Sequence, residues 1–463
     1  MTTLLRRSSK FPRLVRGLAS AVLPQTQTTT LKNGFTIATE YSPYAQTATV
    51  GVWIDCGSRN ETLQNNGTAH FLEHLSFKGT KNRSQQQLEM QIENMGAHLN
   101  AYTSRNAQTV YYSKSFKDDV PANVEILSDI LQNSLLENGA IERERDVILR
   151  EQEEVEKQTE ELVFDHLHAT AFQDHSLGRT ILGPEENIKN IKQNDLLAYI
   201  DENYRSDRMI LVGAGGVPHQ TLVELADKYF SKLVPSEVPT TLGIARDSPP
   251  QFVGSEVRIR DDTMNTSHIT LAVNGVSWKS PDYFTMLIMQ AIIGNWDRAL
   301  GAANHMSSRL SGIVSQNHLA NSFMSFSTAY SDAGLWGIYL VSESKDCLDD
   351  LVHFTLKEWS RLSISVTEAE LERAKTQLKA SLLLTLDGTT AVAEDIGRQI
   401  ITTGRRMTPG EVDFEISKVT VADVQRVAQE KLWDQDLAIA AVGSIEGLLD
   451  YNRIRADMSL NRW

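Results

Sequence analysis

The stretch NNGTAHFLEHLSFKGT, residues 65–80, places His70, Glu73 and His74 among apolar neighbours. Residues four apart lie about one turn apart on an α-helix, so the two histidines would project from one face and could offer two imidazoles to one metal ion. Glu73 would lie at the edge of that face, where it could hold a metal-bound water without being a ligand. The pattern H-x-x-E-H is the inverted form of the zincin motif. Two ordinary helix histidines are the alternative, because five-residue patterns also occur by chance.

A hydrolytic zinc site needs three protein ligands and an open position for water. The segment ERERDVILREQEEVEKQTEELVFDHLH, residues 142–168, supplies many carboxylates on a predicted second helix. Charged helices are usually solvated surfaces, and we keep that interpretation for Glu142, Glu153 and Glu156. The third ligand is therefore expected to come from one of the other carboxylates.

The elements that must position these residues occur twice in the chain. IERERDVILREQEE from Ile141 aligns with LERAKTQLKASLLL from Leu371 at an offset of 230, and Gly213 aligns with Gly443 at the same offset. Tyr102 aligns with Tyr330 at an offset of 228. Near-constant offsets indicate a duplication.

Within each copy, alternating strands are followed by amphipathic helices and a β-branched strand. The fold class is therefore α+β, with two homologous domains of mixed or antiparallel sheet packed with helices. The segment 235–252 is rich in proline and lacks a helical or strand period, so it is predicted to be a linker between domains 19–234 and 253–463.

The second copy lacks the chemistry of the first. Ser381 stands at the offset of 230 from Glu151, and YFTMLIMQAIIG, which corresponds to the histidine helix, has no histidine or carboxylate. The first domain is thus predicted to bind metal and the second is not.

The composition excludes several classes of protein. With 41% hydrophobic and 22% charged residues, the 463-residue chain is neither disordered nor fibrous. Cys56 and Cys347 are too few for a disulfide framework. No run approaches the ~18 apolar residues that span a bilayer, so no transmembrane segment is expected.

The first 33 residues carry six basic residues and no acidic one. This composition is typical of a mitochondrial transit peptide, with a frayed basic tail as the alternative. RGLAS places Arg16 three residues before a cut after Leu18, so residues 1–18 are the predicted leader. Losing it would change the formal net charge from −14 to −19. Such an acidic protein disfavours nucleic acid and favours basic partners.

The motif and the glutamate-rich segment together resemble the pitrilysin family of inverted zinc peptidases. The resemblance implies one Zn²⁺ per chain, with His70, His74 and Glu151 as ligands and Glu73 as the catalytic base. It also implies that Glu144, two turns before Glu151, orients a histidine ligand.

NGTAHFLEHLSFKGT, IENMGAHLNAYTSR, AIERERDVILRE, LGRTILGP and GVSWKSPDYF resemble one branch of that family. The branch holds the metal-bearing β subunits of mitochondrial processing peptidases and the core subunits of respiratory complex III. It implies a matrix location, an α subunit as partner in a heterodimer, and basic presequence peptides as substrates. Single-chain members often bring an Arg and a Tyr from the second half to the site. This sequence has His318 and Asn321 in that region instead, so their role is open and an obligatory partner is favoured.

The same resemblance implies that Asn100, Ala101 and Tyr102 form an edge strand that pairs with extended substrate, and that the Asn100 side chain bonds a substrate amide. A plain sheet strand is the alternative. Phe77 is expected either to contact the residue after the cut or to belong to the core.

Steps of three and four residues from Glu151 run through Glu154, Gln158, Glu161 and Asp165, which predicts an acidic stripe if one helix continues that far. Glu161 and Asp165 are candidates for binding an arginine two residues before the cut. A solvated face is the alternative.

Two functions compete at this stage. A presequence peptidase needs the whole ligand set, which the chain has, whereas a purely structural complex III core subunit would be expected to have lost ligands. A bifunctional polypeptide would satisfy both.

Overall fold

The computed structural model describes residues 25–106, 108–244, 248–300 and 308–459. The predicted leader, residues 1–18, lies outside these ranges. The described residues form two similar halves, each a six-stranded mixed sheet packed with helices. The predicted α+β class with two related domains is confirmed.

The described part of the first half contains six strands and eight α-helices. They are β1 (Gln27–Thr30), β2 (Thr36–Tyr41), β3 (Thr47–Ile54), α1 (Thr68–Leu75), α2 (Gln85–Asn94), β4 (His98–Thr103), β5 (Thr109–Phe116), α3 (Val120–Asn133), α4 (Asn138–Glu156), α5 (Thr159–Ala171), α6 (Glu185–Asn190), α7 (Gln193–Asn203), β6 (Met209–Gly215) and α8 (His219–Phe230).

The described part of the second half also has six strands and eight α-helices. They are β7 (Ser255–Arg260), β8 (Ser267–Asn274), α9 (Tyr283–Ile293), β9 (Asn295–Asp297), α10 (Arg309–Gln316), β10 (Ser322–Ala329), β11 (Gly334–Ser342), α11 (Leu348–Leu362), α12 (Glu368–Thr385), α13 (Thr389–Thr403), α14 (Pro409–Lys418), α15 (Val421–Lys431), β12 (Ala438–Gly443) and α16 (Tyr451–Ala456).

The two sheets share a core of five strands in the same order. The first sheet runs β1-β2-β6-β3-β5-β4 and the second runs β7-β12-β8-β11-β10-β9. In each, one parallel pair (β2 with β6, β7 with β12) is followed by antiparallel pairs. The first sheet adds β1 at one edge, and the second adds β9 at the other.

Each half lends a helix to the other half's sheet. α5 packs on β12, β8 and β7, while α13 packs on β3, β6 and β2. Val163 and Leu167 of α5 join one apolar cluster with strand residues of the second sheet, and Ile396 and Ile400 of α13 join another with Trp53. The halves are therefore held together by reciprocal burial of apolar surface.

This exchange explains why β3 is buried along nearly its whole length rather than on alternate residues. One face packs on helices of its own half and the other on α13. At the closest approach, a Cβ on Gly397 would lie 2.4 Å from Trp53 Cδ2, so a larger residue there would push the helix away. Between α8 and β7 the described residues form neither helix nor strand. None of the helices in the described ranges combines the length and apolarity needed to cross a bilayer.

Candidate active site

α1 carries the histidine motif and lies against β4, α4 and α7. Its apolar residues, including Phe71, Leu72 and Leu75, are buried in the first-half core, which fixes the rotation of the helix. His70 is buried and His74 is half-buried, and their ring centroids are 4.7 Å apart. The spacing of four residues therefore brings both imidazoles together, as the sequence predicts.

α4 packs against α1 and brings Glu151 to the two histidines. His74 Nε2 lies 3.1 Å from Glu151 Oε2, and His70 Nε2 lies 3.7 Å from Glu151 Oε1. One ligand atom from each of the three residues lies within 4.8 Å of the others. Two imidazole nitrogens and one carboxylate oxygen suit a divalent ion with a fourth position left for water. Among the described residues, none forms a hydrogen bond with the buried Nδ1 atom of His70, and it is Nε2 that faces Glu151.

The pKa shifts of Glu151 and His74 bear on how these groups would bind a metal ion. Hydrogen bonds with His70 and His74 lower the pKa of Glu151 below its ordinary value. Burial by itself would lower the pKa of His74, but the hydrogen bond and charge of Glu151 outweigh it and raise the pKa overall. Metal binding needs an ionised carboxylate and neutral imidazoles, so an incoming cation would take over the role that the histidine protons play toward Glu151.

Glu73 lies on the same helix, half-buried beside the ligands. Burial raises the pKa of its carboxyl, opposed by the charge of His70 and by a hydrogen bond with Thr103 of β4. A carboxyl whose pKa is raised toward neutrality is suited to take up and return a proton. Glu73 thus has both the location and the environment of a general base.

Glu144 contacts the far side of His74. Its Oε2 lies 3.4 Å from His74 Nδ1, while its Oε1 accepts a 2.8 Å ion pair from Lys78 Nζ. With Nδ1 facing this carboxylate, Nε2 is the nitrogen directed at Glu151. Lys78 was not identified from the sequence as part of the site.

β4 lies at the edge of the first sheet, with β5 as its one neighbour among the described strands. Ala101 stands opposite Tyr111, which belongs to the core beneath α1, and Tyr102 stands opposite Val110, which packs under α13. Because side chains alternate along a strand, Ala101 faces the metal helix, whereas Asn100 and Tyr102 face the α13 side. The Asn100 side chain is exposed, and its contact with substrate stays a prediction.

Tyr102 is committed to the interface between the halves. Its hydroxyl donates a 2.5 Å hydrogen bond to Glu394 of α13, which also accepts a bond from the Trp53 indole. Burial, with the nearby Glu394 charge, raises the pKa of Tyr102 well above its ordinary value. Only the backbone of Tyr102 is therefore placed to serve an added strand.

The acidic stripe required one helix to continue from Glu151 to Asp165, and the structure does not meet that condition. α4 ends at Glu156, Gln158 adopts an extended conformation, and α5 begins at Thr159. The break lets α5 turn onto the second sheet, where its apolar residues are buried. The sequence could not reveal this because the surface that buries α5 belongs to strands of the other half, β7, β8 and β12.

Because of this break, Glu161 and Asp165, the two residues predicted to bind the substrate arginine, do not lie on one continuous acidic stripe with Glu151. Both of them lie on α5. Glu161 is exposed, whereas Asp165 is half-buried and forms an ion pair with Arg105. Arg105 also donates to the carbonyl of Arg179. The carboxylate of Asp165 is therefore already paired with an arginine of the same chain. Arg105 is, after Lys78, the second residue near the site that the sequence analysis did not identify.

Three other residues lie apart from the ligands' contacts. Phe77 is half-buried against the first-half core, as its core alternative anticipated. His318 has a left-handed φ of 52°, and the side chain of Asn321 accepts a hydrogen bond from Glu343 N. Both therefore shape the turn before β10.

Glu61 is a further residue that the sequence did not single out. It is 4% exposed, and its carboxylate accepts hydrogen bonds from the start of α1. Its position shortly before the motif was visible in the sequence, but neither its burial nor its partners were.

Comparison with known proteins agrees with this geometry. Residues 36–185 match the family model described as Insulinase (Peptidase family M16), and residues 190–378 match the Peptidase M16 inactive domain. The chain belongs to peptidase family M16. The inactive-domain match begins at residue 190 in the first half and extends through the second half to residue 378, and the described residues of the second half hold no candidate metal cluster.

The relatives within family M16 are similar over almost their full length. A Schizosaccharomyces pombe protein named probable mitochondrial-processing peptidase subunit beta is 65% identical over 457 residues, which cover 99% of this chain and 100% of the relative. The subunit beta of Neurospora crassa is 66% identical, with 96% and 94% covered, and that of Saccharomyces cerevisiae is 53% identical, with 95% and 96% covered.

A solved structure, a chain of "Complex III2 from Candida albicans, Inz-5 bound", is 30% identical with a TM-score of 0.83, and the match covers 93% of this chain and 99% of that one. The predicted resemblance to β subunits of processing peptidases is confirmed. As an M16 member with an intact cluster of His70, His74 and Glu151, the chain is a metallopeptidase.

Proposed function

We propose that this chain is the metal-bearing subunit of a mitochondrial processing peptidase, a zinc endopeptidase that removes basic presequences from imported proteins in the matrix. The observation that carries the proposal is the convergence of His70, His74 and Glu151 within 4.8 Å, with Glu73 beside them. The relatives are named as subunit beta of mitochondrial-processing peptidases, which supports a processing activity, and the basic presequence substrates are inferred from the sequence resemblance.

The residues divide the chemistry between them. His70, His74 and Glu151 would hold the ion, and Glu144 keeps His74 in the orientation that leaves Nε2 free for it. Bound Zn²⁺ supplies a Lewis acid that polarises a carbonyl and acidifies water. Glu73 would accept the proton of the attacking water and return it to the leaving amine.

The open edge of the first sheet would orient the substrate. An extended peptide could add to β4 as a further strand through backbone hydrogen bonds at Asn100, Ala101 and Tyr102. This edge lies directly against α1, so the added strand would pass beside the ligands. Glu161, Asp165 and Phe77, which lies just after α1, remain the candidates for side-chain recognition.

The partner would be an α subunit, as the designation beta of the relatives implies. The chain's formal net charge of −14 complements basic presequences. Within the described residues, the second half brings no His318 or Asn321 side chain to the ligands. Completion of the substrate cavity by another chain is therefore part of the proposal.

The test is cleavage of a synthetic presequence peptide by the full chain alone and with an α subunit. We expect little cleavage by the isolated chain, correct cleavage by the pair, loss with a chelator and recovery with Zn²⁺. No cleavage by the zinc-loaded pair would reject the proposed activity. Equal cleavage by the isolated chain would reject the dependence on a partner.

Association with complex III is a second candidate, favoured by the likeness to the Candida albicans chain. At 30% identity, that likeness is weaker than the 53–66% identity to processing peptidase subunits. Native electrophoresis of mitochondrial extracts distinguishes the two, because a core subunit comigrates with the membrane complex and a matrix peptidase does not.

A further inference from the structure

The segment LGRTILGP has no role in the proposed chemistry, yet it contacts both helices that supply ligands. Its backbone at residues 179–183 lies against residues 61–67, just before α1. The Asn66 side chain donates to the carbonyl of Thr180 at 3.0 Å, and Arg179 donates to the carbonyl of Glu61 at 2.5 Å. From α4, Gln152, the neighbour of Glu151, donates to the carbonyl of Gly183 at 3.4 Å.

Two glycines allow this close contact. Gly67 and Gly183 both have left-handed φ values, 103° and 78°. A Cβ on Gly183 would lie 2.2 Å from the Asn66 carbonyl oxygen, and a Cβ on Gly67 would lie 2.4 Å from that of Leu182. The two segments therefore meet backbone to backbone, and we call them together the clasp.

Glu61 is a buried acidic side chain of the clasp that forms hydrogen bonds with the start of α1. Its Oε1 accepts from Ala69 N at 2.7 Å, and its Oε2 accepts from Gly67 N at 3.0 Å and from Asn66 Nδ2 at 2.8 Å. α1 begins after Gly67, which has no side chain to cap the helix. Glu61 satisfies backbone donors that would otherwise be unpaired, and a carboxylate at a helix N-terminus is also favoured by the helix dipole.

Burying the ionised Glu61 carboxylate would be unfavourable without its hydrogen-bond partners. Burial raises the pKa of Glu61 to about 7, although the bonds from Ala69, Asn66 and Gly67 oppose the rise. Ala69, one of its partners, directly precedes His70. A shift of the first turn of α1 would therefore move His70 and, one turn on, Glu73 relative to Glu151.

We propose that Glu61 is a positioning residue for the metal site. By fixing the first turn of α1 against the clasp, which also holds α4 at Gln152, it keeps His70 and His74 at the separation from Glu151 that the ion requires. This inference rests on the proposed metal site and adds to it a residue that touches neither the ion nor the substrate.

The test compares metal binding by three full-length proteins: the unaltered chain, Glu61→Gln and Asp207→Asn. Glutamine keeps the size of Glu61, but its amide cannot accept hydrogen bonds from donors on both sides. Asp207 is the matched control, because it is also buried and accepts four bonds, from the backbone and hydroxyls of Ser236 and Thr240, away from α1. Zn²⁺ affinity by chelator competition, the visible spectrum of bound Co²⁺ and the thermal unfolding midpoint are measured for each.

We expect both variants to lose thermal stability, but only Glu61→Gln to bind Zn²⁺ more weakly, by about tenfold or more, and to alter the Co²⁺ spectrum. Zinc affinity and spectrum unchanged in Glu61→Gln, or changed equally in Asp207→Asn, would overturn the inference. If Glu61→Gln does not fold, Glu61→Asp, which keeps the charge but is one methylene shorter, is expected to show the same selective loss. Failure of the unaltered chain to bind Zn²⁺ would instead reject the proposed function.

Discussion

The two halves of the chain build the same five-stranded core, but of their described residues only those of the first half form a candidate metal site where two helices meet. In the first half, α1 and α4 bring two histidines and a glutamate together. In the second, α9 and α12 pack together in the equivalent places, but α9 is apolar and the residue at the offset of 230 from Glu151 is an exposed serine, Ser381. Most buried residues of α9 belong to the second-half core. Apolar burial therefore maintains the fold in both halves, while a few polar side chains decide whether it binds metal.

The two halves also differ at the edges of their sheets. Among the described strands, β4 is the last of the first sheet, whereas its counterpart β10 pairs with the short strand β9 through Ser322, Phe323 and Met324. An open edge can accept an added strand, and a paired edge cannot over that length. The metal and the accessible edge thus occur in the same half.

The largest expected effect is removal of the base. Glu73→Gln should lower presequence cleavage by at least ~10²-fold while zinc stays bound, because no ligand is lost. Glu93→Gln, on an exposed position of α2, is the control and should retain activity. Cleavage at the normal rate by zinc-loaded Glu73→Gln protein would remove Glu73 from the mechanism.

Removal of a metal ligand should reduce the difference in Zn²⁺ binding between the two halves. Glu151→Gln should weaken Zn²⁺ binding by roughly 100-fold or more, because loss of a residue that only supports a ligand already lowers metal affinity by up to about that factor. Ser381→Gln, the equivalent change in the second half, should leave binding unaltered. Both are measured by chelator competition, and zinc held equally tightly by Glu151→Gln would exclude it as a ligand.

An ion pair between the two halves should contribute measurably to the free energy of unfolding. Arg59 and Asp332 form a two-bond ion pair at 2.6 Å, with side chains 2% and 11% exposed. Asp332→Asn should cost about 2 kcal/mol of unfolding free energy, below the full value for a broken buried pair because asparagine still accepts one bond.

The control for that change is Asp262→Asn, which breaks the exposed pair with Arg260 and should cost less unfolding free energy than Asp332→Asn, because solvent screens an exposed pair. Denaturant unfolding measures both. A loss for Asp332→Asn no greater than for Asp262→Asn would mean that this pair does not stabilise the join.

The smallest effect concerns substrate choice. Glu161→Gln should lower kcat/KM for a peptide with arginine two residues before the cut by up to about fivefold, because an exposed pair contributes little, and less at high salt. Asp165→Asn alone should change stability as well, since Asp165 pairs with Arg105. The double change should affect the arginine peptide more than an alanine peptide.

Glu153→Gln, an exposed change on α4, is the matched control for charge. Equal losses on both peptides would show that Glu161 and Asp165 do not recognise this arginine.

The sequence by itself determined what depends on local geometry and on repetition. The spacing of His70 and His74 fixes their common face because helical turns are set by neighbouring residues. The offset of 230 residues predicts two related domains and the absence of Glu151's equivalent from the second. The α+β class follows from the alternation of strand and helix periods.

Only the tertiary structure decided where distant segments meet. The chain breaks at Gln158 because α5 buries its apolar face on the other half's sheet, which overrides the helical period of the glutamates. Arg105 reaches Asp165, and Glu61 reaches Ala69, through packing that no local pattern encodes. Burial is a property of the assembled fold, so which charged residues become buried partners and which stay solvated emerges only when the two halves come together.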